Sequence, residues 1–341
     1  MKTFFALMIA RNKEFYRDHV TLGWTFLFPL IVIAGFAFGY NGNSEHIFKV
    51  GVLHTTPTIS AQITESEQVL RSSDTTQFVD FTDAVSAVKK VQLHQIDFLI
   101  SEGRTLKYWV NPESPKGRLV EKLLLGGNPH LELLEKESVP GRAVRYVEWL
   151  IPGILAMNMM FSSLFGVGYA IVRYRKNGVL KRLKATPVTA FQFLAAQLAS
   201  RLLLIMMTSA IVFFGAITIV GFKMQGSYAL LFLYIAVSAG CMISLGLAVA
   251  SRIASEELAE GILNLLTWPM MFLSGIWFSL DGASKGVTAF ASLFPLTHIV
   301  SGSRQIMIEG ASYQTLAPSM LILGGMGLIF LLLGSILFKW E

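Results

Sequence analysis

Two apolar stretches, residues 148–172 and 191–221, are joined by a loop that carries Arg173, Arg175, Lys176, Lys181, Arg182 and Lys184 and no acidic residue. Each stretch is long enough to cross the roughly 30 Å hydrocarbon core of a bilayer as a helix. Short loops rich in Lys and Arg stay on the cytoplasmic side, because moving them across is disfavoured. The loop therefore fixes the orientation of every other apolar segment. Within it, Gly178 to Ala185 is of helix length and is closed by Thr186-Pro187, where proline ends one helix or opens the next. A short basic helix at the inner surface is expected. A topology anchor accounts for its charges as well as any other role does.

Composition points the same way. Hydrophobic residues make up 53% of the chain and charged residues 15%, the usage of a membrane protein. A net charge of +6 would admit a nucleic-acid binder. The basic residues sit beside apolar stretches, however, where the positive-inside rule explains them, so nucleic acid is rejected as a partner. Cys241 is the single cysteine and lies in an apolar run, which leaves an exported segment without an intrachain disulfide. The start of the chain does not read as a cleavable signal, because it is charged and amphipathic and no small-x-small site follows its first apolar run.

In residues 1–20, Phe4, Phe5, Leu7, Met8, Phe15 and Tyr16 are interleaved with Arg11, Lys13, Glu14 and Arg17. That pattern predicts an interfacial helix with its basic face toward water. Residues 21–40 form a first span kinked at Pro29, with its basic flank inside. Residues 41–147 hold twelve basic and thirteen acidic residues and read as an external, water-soluble domain. Strands are expected at 47–53, 77–81, 96–101 and 105–110, and a helix from Thr82-Asp83 with Ala84, Val85, Val88 and Val91 at helical spacing. A helix over 114–136, broken at Gly126-Gly127-Asn128-Pro129, completes a small α/β domain. His54, His94 and His130 match no ligand spacing and fall in different elements, so they read as surface histidines rather than a metal site.

The second span is 148–172, the basic loop 173–190 and the third span 191–221. Arg201 lies about three turns into the third span. The nearby loop favours a side chain that snorkels to the inner interface over one that pairs inside the bundle. The fourth span, 228–250, carries Ser238, Gly240, Ser244, Gly246 and Ala248, small enough for close helix approach. A cytoplasmic loop, 251–261, sets Arg252 against Glu256, Glu257 and Glu260. A fifth span at 262–280 leads to an external segment, 281–314, whose piece 294–308 is a re-entrant or surface helix. A sixth span, 315–339, ends inside. The fold class is a mainly α membrane protein: six transmembrane helices, an amino-terminal interfacial helix and an external α/β domain between the first two spans. In the second span, helix packing accounts for Met157, Met159, Met160 and Phe161. Asn158 is the more telling residue, because an amide in a span finds a partner or faces the interior.

No phosphate-binding G-x-x-x-x-G-K-[ST] loop, H-E-x-x-H or G-x-S-x-G occurs. The spans lack the buried carboxylate chains of a proton-driven carrier, so the energy for any transport must come from another subunit. At this point three stretches carry a resemblance. Residues 176–197, KNGVLKRLKATPVTAFQFLAAQ, resemble the pattern E-x-G-T-L-E-x-L-x-x-T-P-V of ABC-2 type ATP-binding cassette transporter permeases, with Lys176 and Lys181 in place of the acidic positions. PMMFLSGI at 269–276 resembles the family's P-x-x-F-L-S-G, although the Pro-rich turn usual after it is missing from Phe278-Ser279-Leu280-Asp281. FPLTHIVSGSRQIMIEG at 294–310 is similar to P-L-x-x-x-x-x-x-x-R-x-x-x-x-G. The resemblance covers nearly the whole chain.

The resemblance implies a permease subunit of a bacterial inner membrane with both termini cytoplasmic. It implies an amphiphilic or hydrophobic substrate moved outward, and ATP and Mg bound by a separate ATPase subunit, with no cofactor and no catalysis on this chain. It places Gly178, Leu180, Lys181, Arg182, Leu183, Lys184, Thr186 and Pro187 in ATPase coupling. Glu256 and Glu257 are a second contact, for which a solvated loop is an equal alternative. Asn158, Ser274, Gly275, Pro295 and Arg304 are placed along the pathway or its exit. For Arg304 a gate or structural pair stands beside a lipid headgroup contact. The partners implied are the ATPase, a second permease subunit, identical or related, and the lipid bilayer. A periplasmic adaptor is a further partner. The alternative reading is a membrane sensor or scaffold whose external domain binds a ligand. An intramembrane enzyme would need a reactive pair that the spans lack.

Overall fold

The computed structural model describes residues 2–39, 48–54, 76–93, 95–102, 107–112, 114–126, 135–141, 144–253, 255–277, 280 and 284–338. Contacts divide the chain into two units, Met1–Tyr40 with Val147–Glu341, and Asn41–Tyr146.

The second unit is a five-stranded sheet in the order β2-β1-β3-β4-β5. Its strands are β1 (Phe48–His54), β2 (Thr76–Phe81), β3 (Phe98–Glu102), β4 (Lys107–Val110) and β5 (Glu135–Ser138). β1 runs parallel to both β2 and β3, β3 and β4 are antiparallel, and β4 and β5 are parallel. Helix α3 (Ala84–Gln92) is capped by Asp83, which accepts from the amides of Val85 and Ser86. Helix α4 is Pro115–Gly126. Alternating residues feed two cores, one on each face of the sheet. Phe98, Ile100, Tyr108 and Val110 pack with Val120 of α4, and Leu99 and Trp109 pack with Ala87 and Val91 of α3.

The expected helix over 114–136 stops at Gly126, and 135–138 is a strand. All four of its residues are exposed, and they are held by charge: Lys107 pairs with Glu135 at 2.7 Å, Lys136 with Glu121 at 2.6 Å, and Trp109 Nε1 donates to Glu137 at 2.8 Å. A charged edge strand resists pairing with another chain. His94, His130 and the side chain of His54 lie outside the described residues.

The first unit is helical: α1 (Lys2–Arg17), α2 (His19–Gly39), α5 (Tyr146–Ser163), a π-helical segment (Leu164–Tyr169), α6 (Ala170–Lys176), α7 (Val179–Lys184), α8 (Ala190–Val220), α9 (Tyr228–Ala250), α10 (Glu256–Leu273), α11 (Lys285–Ala291), α12 (Pro295–Met307) and α13 (Tyr313–Leu337). Among the described residues, four helices are long and apolar enough to cross a membrane: Tyr146–Lys176, Gln192–Val220, Tyr228–Ala250 and Tyr313–Leu337. α2 is apolar over Thr25–Ala37. α10 begins inside the expected loop 251–261 and ends before the expected limit of 280, so Glu256, Glu257 and Glu260 belong to its first turns.

α8 opens with a capping box, in which Thr189 accepts from the Gln192 amide and the Gln192 side chain accepts from the Thr189 amide. Small residues set the helix spacing, as expected in spans. A Cβ at Gly327 of α13 would lie 3.1 Å from Cys241 Cα, and one at Gly334 would lie 3.3 Å from Ala248 Cα. Gly302 of α12 faces the ring of Tyr234, whose hydroxyl donates to His298 O at 2.7 Å. α12 is thus packed into the bundle through Leu296, Ile299, Val300 and Ile306.

Gly302→Ala is expected to drive the Tyr234 ring off His298 and lower the melting temperature in detergent. Gly240→Ala, where a Cβ meets nothing within 4 Å, should leave it unchanged or raise it through helix propensity, worth about 0.5–1 kcal/mol. Equal effects of the two substitutions would contradict this packing.

Candidate functional site

The basic loop separates into two sets of residues with different surroundings. Arg175 is buried, while Arg173 and Lys176 are exposed and pair with carboxylates of other helices. Arg175 is 9% exposed and donates to Ala250 O at 3.0 Å, to Ser251 O at 2.9 Å and to Ile253 O. Ala250 is the last residue of α9, Ser251 is its cap and Ile253 lies just beyond, so these carbonyls have no donor from a following turn, and a cation also suits that end of the helix dipole. Lys176 lies 3.7 Å from Glu256, which also accepts from Tyr169 at 3.0 Å. Arg173 pairs with Glu14 of α1 at 2.8 Å.

The second set stands out from the surface. Asn177 ends α6, and Gly178 turns the chain at φ 68°, a left-handed conformation that favours glycine. α7 follows, with Leu180 fully buried as its anchor and Leu183 half-buried. Lys181, Arg182, Lys184, Thr186 and Pro187 are exposed. The Thr186 hydroxyl donates to Leu183 O at 2.6 Å and closes the turn. Glu257 is exposed as well, whereas Glu256 is half-buried by its ties to the second-span helix.

A second cluster surrounds the π segment. A π turn, with one extra residue between donor and acceptor, frees a carbonyl of the preceding helix, and such turns recur at functional sites. Two arginines attend it. Arg11 donates to Gly166 O at 2.6 Å, to Tyr174 at 2.9 Å and to Glu14 at 2.8 Å. Arg201 donates through Nε to Ser162 O at 2.8 Å, stands over the Phe15 ring at 5.5 Å, and lies flat against Gly166, where a Cβ would collide with it. Arg201 is 5% exposed. It is therefore buried inside the bundle on a backbone carbonyl, and the snorkelling expected of it is corrected. The absent side chain at Gly166 makes the room, and Ser162 O supplies the acceptor. Arg11 likewise faces inward rather than toward water. The Glu14 carboxyl is held below its usual range: burial raises it, but the Tyr174 hydroxyl, Arg11 and Arg173 outweigh burial.

Asn158 solves a different backbone problem. Pro29 has no N–H and cannot donate to Thr25 O, four residues earlier in α2. Asn158 Nδ2 donates to it at 2.8 Å. Asn158, Met157, Phe161 and Phe165 line a cavity of about 460 Å³ that Arg11, Glu14, Arg173 and Arg201 close at its polar end. Met159 and Met160 are packed in the core.

At the start of α5, Arg304 joins two elements. It donates to Trp149 O at 3.2 Å, to Gly275 O at 2.7 Å and to Ile276 O at 3.3 Å, and its guanidinium stacks 3.5 Å from the centre of the Trp149 ring. These bonds tie Arg304 to the backbone of two other elements. Gly275 turns the chain after α10 at φ 77°, and Ser274 is buried with its hydroxyl on Met271 O at 3.2 Å. Pro295 opens α12 at its first turn, where no N–H is needed. Arg304, Ser274 and Gly275 are thus brought together, while Asn158 stands apart beside α2.

Sequence reasoning missed the Arg175 clamp, the π segment and the tie from Glu14 to Tyr174. The readable signal was the presence of Arg11 and Arg201 beside and within apolar stretches, since a charge there must find a partner.

Asn158→Leu is expected to destabilise the folded chain by about 1–3 kcal/mol, because Thr25 O loses its donor. In a Pro29→Ala background, which restores the N–H at position 29, the same substitution should cost distinctly less. A thermal-unfolding double-mutant cycle measures the coupling, and purely additive effects would contradict the pairing.

A family model described as ABC-2 family transporter protein matches residues 19–336. The chain is similar to the inner membrane transport permease YhhJ of Escherichia coli, 24% identical over 190 residues that cover 55% of this chain and 51% of YhhJ. It is similar to the probable multidrug ABC transporter permease YbhR of the same organism, 20% identical over 196 residues, 54% of this chain and 53% of YbhR. It also matches ABC transporter G family member 20 of Dictyostelium discoideum, 24% identical over 170 residues, 49% of this chain and 23% of that protein. The chain thus spans about half the length of the bacterial relatives it matches. With a matched region that runs through the membrane-length helices, the basic loop and the Arg304 helix, the chain belongs to the ABC-2 family of transporter proteins.

Proposed function

We propose that this chain is the transmembrane permease subunit of an ABC-2 exporter, moving an amphiphilic or hydrophobic substrate outward with ATP hydrolysed on a separate ATPase subunit. The observation that carries the proposal is α7. It is anchored by the buried Leu180, offers Lys181 and Arg182 to the surroundings, and follows an α6 locked to the end of α9 by Arg175. A push on α7 is passed to the second-span helix and to α9 through rigid bonds rather than through a loose loop. Membership of the family supports the ATPase partner, which would hold ATP and Mg.

Six crossings follow from charge parity. The basic flank of α1 and the loop 173–190 share the cytoplasmic side only if α2 crosses as well as the helix Tyr146–Lys176, and Lys339 at the carboxy-terminal end joins them there only if α10 crosses together with the remaining longer helices. α10 fits that role, with Leu265, Trp268 and Phe272 exposed along it. The sheet unit is then external, both ends are inside, and a second permease subunit completes the pathway. YbhR is described as a probable multidrug permease, and hydrophobic small molecules are a cargo of the same chemistry.

Tagged protein drawn from its native membrane in mild detergent should bring an ATP-binding subunit with it. Combined reversal of the charges, Lys181→Glu, Arg182→Glu and Lys184→Glu, should weaken that association by at least about tenfold while the permease remains inserted. An ATPase retained by the variant, with unchanged activity, would remove α7 as the docking element.

A further inference from the structure

The cavity beside the π segment holds an imbalance of charge that the coupling role does not use. Its lining includes three cations, Arg11, Arg173 and Arg201, and two carboxylates, Glu14 and Asp18. Glu14 is occupied by Arg11 and Arg173 at 2.8 Å each, and by Tyr174. Arg201 meets no carboxylate among the described residues. Its Nε bonds Ser162 O, and its two terminal nitrogens have no hydrogen-bond acceptor there. A guanidinium that is 5% exposed is costly without a counter-charge, because burial removes its water and a single carbonyl does not replace it. The fork of terminal N–H groups has the geometry to hold a carboxylate or phosphate by two bonds.

The rest of the cavity is apolar. Phe28, Met157, Phe161 and Phe165 line it, and the rings of Phe161 and Phe165 stack at 5.9 Å. Methionine and aromatic walls accept varied hydrocarbon shapes. A volume of about 460 Å³ falls within the roughly 300–1,000 Å³ of small-molecule sites.

We propose that this cavity binds a monoanionic amphiphile, its carboxylate or phosphate on Arg201 and its hydrocarbon along Phe28, Phe161 and Phe165. Three cations against two carboxylates leave one positive charge, which a single anion neutralises. The proposal rests on the permease reading only in taking that amphiphile for cargo; the binding itself needs no ATPase.

The test uses the full chain, purified without ATPase in a neutral maltoside detergent at alkaline pH, with cis-parinaric acid as a fluorescent probe and its methyl ester as the uncharged control. The acid should bind saturably and at least about tenfold more tightly than the ester. Arg201→Gln should reduce the acid to the affinity of the ester, and Lys13→Gln, on the exposed side of α1, should change neither. Equal binding of acid and ester by the unaltered protein would overturn the proposal. Should Arg201→Gln fail to fold, photolabelling of the unaltered protein with a diazirine-bearing fatty acid locates the site. Adducts on the peptide containing Phe161 and Phe165 support it, and adducts confined to other peptides overturn it. Displacement of the probe by phosphatidylglycerol identifies a lipid headgroup as the natural anion, whereas displacement by single-chain carboxylates or phosphates alone identifies a free amphiphile. A chain that binds the acid yet brings down no ATPase would sink the permease reading and leave this site standing.

Discussion

A hydrocarbon layer offers no water to a backbone carbonyl that its own helix has left without a donor. In this chain such carbonyls are met by a few long polar side chains, and those bonds hold the bundle together. Arg201 takes Ser162 O and Arg11 takes Gly166 O at the π segment. Asn158 takes the carbonyl to which Pro29 cannot donate. Arg175 takes the end of α9, and Arg304 takes the end of α10 with Trp149. Each bond also joins two helices, so satisfying the backbone and fixing the helix arrangement are one event. A bond of this kind is costly to break, since the partner left behind is buried.

The same economy explains the basic loop. The positive-inside rule requires the charges but does not say where their side chains go. Three of them make ties within the chain, Arg173 to Glu14, Lys176 to Glu256 and the buried Arg175 to carbonyls at the end of α9. The other half stand on α7, exposed, on a helix fixed by Leu180. The ties within the chain and the exposed charges of α7 are therefore made by different residues of one cluster. The amino-terminal helix belongs to this device too. Glu14 and Arg11 bind it to the second-span helix, and Asn12 accepts from Ser200 of α8 at 2.5 Å.

Much of this was legible in the chain. Apolar length gave the four helices of membrane length, alternation gave β1 to β4, and Asp83 marked the start of α3. The Thr189 and Gln192 pair, three apart, closes a capping box at the start of α8. What escaped reading was non-local. β5 is four exposed residues, three of them charged, and only pairing with β4 makes them a strand. The π segment has no periodic signature in the sequence, and the arginines that bond carbonyls in it and just before it come from two other helices. Arg201 was misread for the same reason: its burial depends on Gly166 and Ser162, distant in sequence, which together make a place for a guanidinium. In the basic loop, the helix-length piece from Gly178 to Ala185 was readable from its proline stop, and α7 lies within it. The grouping of Arg304 with Gly275 required the fold.

The coupling role proposed for α7 depends on which side of the membrane each loop occupies. The direct measurement is labelling of single cysteines by a membrane-impermeant maleimide in intact cells. Cys241 is buried, and Cys241→Ala supplies the background. Lys116→Cys, exposed on α4, should label from outside. Asn177→Cys, exposed at the entrance to α7, should label only after permeabilisation. The reverse pattern, or labelling of both from the same side, would contradict the orientation from which the coupling role of α7 is derived.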